Sequence, residues 1–125
     1  MKEKTLILGA TDNPERYAYK AGFELQKHGF EIAGVGLKPV PFFGQTVITD
    51  KNVILEDIHT ITLYVGLRNQ PEWYDYILKT KPKRLIFNPG TENPELKSLA
   101  AAAGIACLEA CTLVLLSLNA YAQTV

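Results

Sequence analysis

The chain has 125 residues, which is the size of one domain and predicts that residues 1–125 fold as a single unit. Its 13 basic and 13 acidic side chains give a formal net charge of zero, so it lacks the positive field by which proteins attract nucleic acids or anionic membranes. Its two cysteines, Cys107 and Cys111, lack the spacing of a zinc site or a C-x-x-C redox motif, so no metal site is expected.

The apolar segments are too short to place this chain in a membrane or on a secretory route. The run before Gly9 is much shorter than the apolar region of a signal peptide, which spans about 7–15 residues. The most apolar stretch, residues 111–118, falls short of the ~18 residues that a transmembrane helix needs. We therefore expect a cytoplasmic protein.

Apolar runs alternate with helical patterns along the chain, and this alternation predicts β–α units around a parallel sheet. The first predicted strand, residues 5–8, is a continuous apolar run, which is typical of a strand buried on both faces. The pair Asn13-Pro14 predicts a helix that begins at Pro14 and ends at Gly29. Residues 31–35 form the second predicted strand.

The middle of the chain departs from this regular pattern. Residues 36–52 combine prolines and glycines with Phe42 and Phe43, which predicts a structured loop without regular elements and with exposed or half-buried aromatic rings. Residues 60–65 are rich in β-branched side chains and predict the third strand. Residues 70–79 follow as a helix, with one face formed by Trp73, Tyr76 and Ile77.

The last third of the chain predicts two further β–α units. Residues 84–87 form the fourth strand, and Asn93-Pro94 begins an alanine-rich helix that ends at Gly104. Residues 105–108 form a short fifth strand, and residues 112–121 a closing helix that is apolar on all sides. Such a helix must be covered, either inside the domain or as the interface of a homodimer.

This order of elements predicts a single-domain Rossmann-like fold, a three-layer αβα arrangement with a mainly parallel sheet of about five strands. The sequence leaves the strand order open between the Rossmann and flavodoxin types. In either type the ligand lies at the carboxyl ends of the strands, near the point where the strand order reverses. The turns that follow the predicted strands are therefore the first places to look for a site.

The turn after the first strand is the leading candidate for an anion site. Residues 9–17 bring free backbone N–H groups to the positive end of a helix dipole, and Arg16 adds a cation that can bond to phosphate oxygens. The alternative is a structural role, in which Gly9 makes a tight turn and Asn13 caps the helix.

The type of phosphate ligand follows from what this turn lacks. Thr11 stands where the dinucleotide motif G-x-G-x-x-G has its second glycine, so a match to an NAD site fails. Lys38 follows the second strand, where an NAD site has a carboxylate. A lysine there favours a ribose that carries an extra phosphate, as in NADP or coenzyme A, although it can equally be an ordinary surface lysine.

Three segments carry a resemblance to a known family: residues 8–14 with Arg16 and Tyr17, residues 88–93, and residues 109–112. Together they resemble the small stand-alone CoA-binding domains, which are related to the CoA-binding part of the succinyl-CoA synthetase α subunit. The resemblance covers nearly the whole chain and implies a Rossmann-like domain that binds coenzyme A or an acyl-CoA. The phosphohistidine domain of the synthetase has no counterpart here, so the resemblance implies binding without catalysis.

The resemblance also implies where the parts of the cofactor lie. The diphosphate is expected at residues 9–17, and the phosphorylated adenosine end near Lys38 and the turn at Val65-Gly66. The residues predicted to bind the cofactor are Gly9, Ala10, Thr11, Asn13, Arg16, Tyr17, Lys38, Val65 and Gly66.

The sequence offers no complete set of catalytic residues. His28 and His59 fall at the amino end of the predicted sheet, away from the expected site. Cys111 follows the fifth strand with Glu109, which leaves open an acyl-CoA or thiol-exchange enzyme that uses Cys111. A buried packing role for Cys111 competes with that reading. The leading hypothesis is a non-catalytic CoA carrier, sensor or accessory protein, and a further alternative is an NADP-binding regulatory module.

Overall fold

The computed structural model describes residues 3–122. Its secondary structure alternates strands and helices in the order expected from the sequence. In chain order the elements are β1 (Lys4–Leu8), α1 (Tyr17–Lys27), β2 (Ile32–Val35), β3 (Pro41–Phe42), β4 (Gln45–Thr46), β5 (Ile58–Leu63), α2 (Tyr74–Thr80), β6 (Arg84–Phe87), α3 (Pro94–Ala102), β7 (Ala106–Glu109) and α4 (Thr112–Ser117); two 3-10 turns, Leu67–Asn69 and Pro71–Trp73, precede α2.

The central sheet has five parallel strands in the order β2-β1-β5-β6-β7. Outside β2, Ile48 forms a single parallel bridge with Val35, and its amide donates to the Gly34 carbonyl oxygen at 2.9 Å. With this bridge counted as a shortened strand, the sheet has the Rossmann order 3-2-1-4-5-6. The chain adds its first strands on one side of β1 and its later strands on the other, so the strand order reverses between β1 and β5. The predicted Rossmann-like αβα fold is confirmed.

Helices cover both faces of this sheet. Leu6, Leu8 and their neighbours on one face pack with α2 and α3, while Ile7 and its neighbours on the other face pack with α1, α4 and the β3–β4 hairpin. Each central strand is therefore buried on both sides, which explains why residues 5–8 read as an unbroken apolar run.

Helix α1 begins at Tyr17, three residues later than the sequence predicted. The Asn13 side chain accepts a hydrogen bond from the Glu15 amide at 3.0 Å, and the Arg16 amide donates to the Asn13 carbonyl oxygen at 3.1 Å. Asn13 therefore closes a local turn instead of capping the helix. The end of the helix agrees with the prediction, because Lys27 is its last residue and Gly29 follows with a φ of 86°.

The segment after β2 was predicted to lack regular elements, and this prediction is wrong. It contains the β3–β4 hairpin, whose turn residues Phe43 and Gly44 both have positive φ, 52° and 81°. Phe42 is buried instead of exposed or half-buried. Its ring lies so close to β2 that a Cβ at Gly34 would come within 2.7 Å of it. Local sequence patterns did not indicate this contact, because it depends on how the hairpin folds back onto β2.

The helix predicted at residues 70–79 forms in two parts, the 3-10 turn Pro71–Trp73 and α2. Its predicted apolar face is confirmed, since Trp73, Tyr76 and Ile77 are all buried. Asn93 caps α3 as predicted and accepts a hydrogen bond from the Leu96 amide at 3.1 Å.

The closing helix α4 ends at Ser117, earlier than predicted, and Asn119 follows with a φ of 54°. Thr112 and Leu116 are buried, whereas Val114 and Leu118 remain 51% and 69% exposed. Within the domain the helix is thus covered on one side only. In the part of the chain that the structure describes, no helix is both long and apolar enough to cross a membrane.

Candidate functional site

The turn after β1 packs against the end of β2. The amides of Gly9 and Ala10 both donate to the Val35 carbonyl oxygen, at 2.8 and 3.0 Å. A Cβ at Gly36 would lie 2.8 Å from the Ala10 carbonyl oxygen, so the two segments touch through their backbones. Gly9 and Ala10 therefore shape the turn, and their amides are already used within the protein.

The same turn also adjoins the end of β5. The Tyr64 amide donates to the Leu8 carbonyl oxygen at 2.8 Å, which extends the β1–β5 pairing beyond the last paired residues. Gly9 has a φ of 99°, and a Cβ there would lie 2.8 Å from the Tyr64 carbonyl oxygen. The turns after β1 and β5 thus meet where the strand order reverses, which is the usual ligand position in this fold.

Four backbone amides at this place are free to bind an anion. The N–H groups of Thr11, Asp12, Tyr17 and Ala18 form no hydrogen bond to any atom of residues 3–122. The amides of Tyr17 and Ala18 belong to the first turn of the 11-residue helix α1, and the helix dipole is positive at this end. Arg16 is exposed beside them. This arrangement suits a phosphate or diphosphate group.

The residues predicted to bind the cofactor flank one edge of the sheet. Five of them lie in the turn after β1, and Tyr17 is the first residue of α1. Lys38 is exposed two residues beyond Gly36, on the β2 side. Val65 and Gly66 follow Tyr64 on the β5 side. The Val65 carbonyl oxygen accepts from the Gln70 amide group at 2.9 Å, and Gly66 has open space where a Cβ would stand.

A cavity of about 240 Å³ opens at the same edge, on the α1 and α4 side of the sheet. We call it the Tyr64 cavity. Tyr17 was predicted to bind the cofactor, and Cys111 was considered as a nucleophile. Asn88 and Pro89 belong to the segment 88–93 that carries the family resemblance but were not predicted as binding residues, although they directly follow the fourth predicted strand. Tyr64 and Leu113 were not predicted. The cavity is lined by Tyr17, Tyr64, Asn88, Pro89, Cys111 and Leu113.

Asn88 forms a rigid part of the cavity wall. Its side-chain oxygen accepts from the Thr112 amide at 2.9 Å, and its amide group donates to the Thr62 hydroxyl at 2.7 Å and the Leu63 carbonyl oxygen at 2.9 Å. The side chain is 2% exposed. It therefore ties the ends of β5 and β6 to the start of α4 and has its hydrogen bonds satisfied.

The Tyr64 hydroxyl is buried and has no hydrogen-bond partner among the described residues. The nearby hydroxyls of Thr62 and Thr112 bond to each other at 2.7 Å. Burial raises the pKa of Tyr64 to about 12. The phenol is consequently neutral at physiological pH and has an O–H group to donate.

Cys111 and Glu109 do not come together as the thiol-exchange alternative requires. Cys111 is half-buried and lines the Tyr64 cavity. The Glu109 carboxylate lies 3.8 Å from the Lys97 ammonium group of α3, which packs on the opposite face of the sheet. Cys107 also points to that face, since its thiol donates to the Lys97 carbonyl oxygen at 3.8 Å. Burial raises the pKa of Cys107, and Lys97 partly opposes the rise.

Both histidines lie away from this edge, as the sequence predicted. The His28 ring bonds to the Glu24 carbonyl oxygen at 2.7 Å, at the carboxyl end of α1. His59 is the second residue of β5, where burial and then Arg84 lower its pKa. Within residues 3–122, no group of three or more His, Cys, Asp or Glu side chains could hold a metal ion.

Comparison with known proteins identifies a family that this chain matches. A family described as a CoA-binding domain matches residues 3–117. A crystal structure of a protein described only as uncharacterized shares 47% sequence identity and has a TM-score of 0.92, and the match covers 96% of this chain and 98% of that one. A search of curated protein sequences gives no match.

More distant structures share the fold. A protein from Thermus thermophilus has a TM-score of 0.84 at 18% identity, over 94% of this chain and 90% of that one. A dinucleotide-forming acetyl-coenzyme A synthetase from Ca. Korarchaeum cryptofilum has a TM-score of 0.70 at 14% identity. That match covers 86% of this chain and 25% of the synthetase.

Proposed function

Because this chain belongs to the CoA-binding domain family, we propose that it binds coenzyme A or an acyl-CoA as a small non-catalytic carrier, sensor or accessory protein. The family supports CoA binding in general. The observation that carries the proposal for this chain is the group of free amides beside Arg16, at the start of α1 and next to the reversal of strand order.

The diphosphate binds in the turn of residues 9–17. The free amides of Thr11, Asp12, Tyr17 and Ala18 donate to its oxygens, and Arg16 supplies a charge-assisted hydrogen bond. Gly9 and Ala10 contribute by keeping the turn close to β2 and β5. Asn13 holds the turn in shape through its bond to the Glu15 amide.

The phosphorylated ribose binds near Lys38, and the adenosine extends along Val65 and Gly66. Lys38 is exposed and forms no ion pair among the described residues, so its charge is available to a phosphate. The open space at Gly66 leaves the backbone there accessible to a ligand.

A binding role without turnover agrees with how the reactive groups are arranged. The carboxylate nearest to Cys111 in the sequence, Glu109, pairs with Lys97 on the other face of the sheet. His28 and His59 lie at the amino end of the sheet. A nucleophile needs a base within hydrogen-bond reach, and none of Glu109, His28 and His59 supplies one to Cys111.

Isothermal titration calorimetry with CoA, 3′-dephospho-CoA, NADP and NAD tests this function. We expect CoA to bind, and the Lys38→Gln variant to bind it about tenfold more weakly, which is roughly 1.4 kcal/mol. The same variant should bind 3′-dephospho-CoA as the unmodified protein does, because that ligand lacks the phosphate that Lys38 contacts.

Lys83→Gln is the matched control, since Lys83 is an exposed lysine that immediately precedes β6 at the amino edge of the sheet. This control should leave CoA affinity unchanged. Binding of NADP without any response to CoA would contradict the proposed function and favour the NADP-binding regulatory module. If Lys38→Gln lowered the affinity for CoA and for 3′-dephospho-CoA equally, Lys38 would not contact the 3′-phosphate.

A further inference from the structure

The Tyr64 cavity lies on the side of the site that the proposed binding mode assigns to the thiol end of the cofactor. In coenzyme A the diphosphate separates the adenosine from the pantetheine arm. The adenosine at Val65 and Gly66 lies on the α2 and α3 side of the sheet, because Val65 packs with that core, whereas Tyr64 packs with the core on the α1 and α4 side. The arm then leaves the diphosphate on the α1 and α4 side, in the direction of β6 and β7. Pro89 and Cys111, which line the cavity, follow these two strands. Tyr17 borders both the diphosphate turn and the cavity.

The size of the cavity suits a small group. Its volume of about 240 Å³ equals roughly eight water molecules at the ~30 Å³ each occupies in the liquid. This space accommodates a short acyl chain and excludes a long fatty chain from full burial.

The lining of the cavity suits an uncharged and mainly apolar group. Pro89, Leu113 and two aromatic rings provide most of its wall, and none of its six residues is Asp, Glu, Lys or Arg. A carboxylate placed here would lose its hydration without gaining a cation. The cavity therefore disfavours acyl groups that end in a carboxylate.

The Tyr64 side chain lines the cavity, and its buried hydroxyl has no hydrogen-bond partner among residues 3–122. A buried hydroxyl that finds no acceptor loses its hydration without compensation, so a ligand that offers an acceptor gains affinity there. The carbonyl oxygen of a thioester is such an acceptor, whereas the thiol of free CoA is a weak one. At the thiol end of the arm the missing partner thus distinguishes an acyl-CoA from CoA, since the two amide carbonyl oxygens of the pantetheine arm lie further from the sulfur than the thioester carbonyl oxygen does.

We infer that the Tyr64 cavity holds the acyl group of a short-chain, uncharged acyl-CoA, and that the Tyr64 hydroxyl donates a hydrogen bond to the thioester carbonyl oxygen. This inference rests on the proposed function and narrows it to a ligand class. Cys111 and Leu113 contact the acyl chain and limit its length. Asn88 takes no direct part, because its hydrogen bonds already hold the wall in place.

Calorimetry with CoA, butyryl-CoA and succinyl-CoA tests the inference. Butyryl-CoA should bind about five- to tenfold more tightly than CoA, as one added hydrogen bond and some apolar burial predict, and succinyl-CoA should show no such gain. Tyr64→Phe should abolish most of this preference and leave the affinity for CoA itself unchanged. Tyr64→Phe should unfold at the same temperature as the unmodified protein or at a higher one, because the hydroxyl lost is buried and has no partner within the described structure.

Two further variants sharpen the test. Tyr74→Phe is the matched control. Tyr74 lies on α2, away from the cavity, and its hydroxyl donates to the Glu95 carboxylate of α3 at 2.9 Å. Loss of this hydroxyl should not change the preference for butyryl-CoA over CoA. Leu113→Trp should fill the cavity, because Leu113 lines it. This variant should bind butyryl-CoA no more tightly than CoA, and it should still bind CoA.

The possible results separate the two proposals. Equal affinity for CoA and butyryl-CoA in the unmodified protein, or a preference that persists in Tyr64→Phe, would overturn the acyl pocket and leave CoA binding intact. A tighter complex with succinyl-CoA than with butyryl-CoA would also overturn it. Failure of the unmodified protein to bind any of the three ligands would overturn the proposed function itself.

Discussion

Arg16 illustrates how one residue serves both the fold and the proposed site. Its backbone is extended, with φ −83° and ψ 145°, and it immediately precedes the first turn of α1. Its side chain is exposed and forms no ion pair among the described residues. A cation that is not already paired loses little when it bonds to a phosphate, so this position is well suited to a ligand contact.

We expect Arg16→Ala to weaken CoA binding by about 1.5–3 kcal/mol, the range for a hydrogen bond to a charged group. Calorimetry measures this loss directly. Lys27→Ala serves as a control on the same helix, because Lys27 lies in its last turn, at the amino end of the sheet. An affinity for CoA within twofold of the unmodified protein would show that Arg16 lies outside the site.

At the scale of elements, the turn between β1 and α1 depends on Gly9. A residue with a Cβ would have to adopt a φ of 99° and would approach the Tyr64 carbonyl oxygen to 2.8 Å. The close approach arises because the turns after β1 and β5 meet here, and a side chain at this place would push the two turns apart. Gly104, after α3, provides a comparison, since it has a φ of 83° but open space around the missing Cβ.

Gly9→Ala should therefore destabilise the protein more than Gly104→Ala. The left-handed backbone costs roughly 1–2 kcal/mol in either variant, and the contact with backbone atoms adds to the loss only at Gly9. Urea unfolding of the two variants gives the difference in the free energy of unfolding. Equal losses would mean that the turn after β5 moves away at no cost, contrary to the close packing described above.

The elements also show what local sequence reasoning could reach. The strand at residues 84–87 was predicted with its observed bounds, because it is a short apolar run that Asn88-Pro89 ends. The start of α1 was misplaced, since an Asn before a proline closes a turn as readily as it caps a helix. The β3–β4 hairpin was missed because it is held by the burial of Phe42 against β2, which no local pattern encodes.

Arg84 lies in a correctly predicted strand, but the local sequence did not predict that its side chain is buried. Its side chain is 1% exposed and donates to the Thr60 hydroxyl at 2.9 Å and the Tyr121 carbonyl oxygen at 2.8 Å. Its guanidinium also lies over the Tyr121 ring, 4.4 Å from the ring centre. An arginine at the start of a strand ordinarily suggests an exposed side chain. Here it ties the segment after α4 to the sheet.

At the scale of the whole molecule, ligand binding and stability are linked. The proposed site joins the turns after β1, β2 and β5, so a ligand there binds the folded chain and has no equivalent site in the unfolded one. A ligand present at 100 times its Kd then adds about 2.7 kcal/mol to the free energy of unfolding.

We expect CoA at this concentration to raise the Tm by roughly 10 °C, the change that such a stabilisation produces in a domain of this size. Differential scanning calorimetry with CoA measures the shift. NAD at the same concentration should raise the Tm little, and the shift with CoA should be smaller in Arg16→Ala. An unchanged Tm with saturating CoA would contradict binding to the folded state.

The sequence by itself determined the alternation of strands and helices, the Rossmann-like class and the turn that bears Arg16, because these depend on local patterns of apolar residues, glycine and proline. The tertiary structure alone decided the strand order, and with it which turns meet. It assigned the Gly9 and Ala10 amides to the Val35 carbonyl oxygen and left the amides of Thr11 and Asp12 without a partner among the described residues. It also created the Tyr64 cavity, since a cavity depends on the packing of residues that are far apart in the chain and on which of their polar groups find partners.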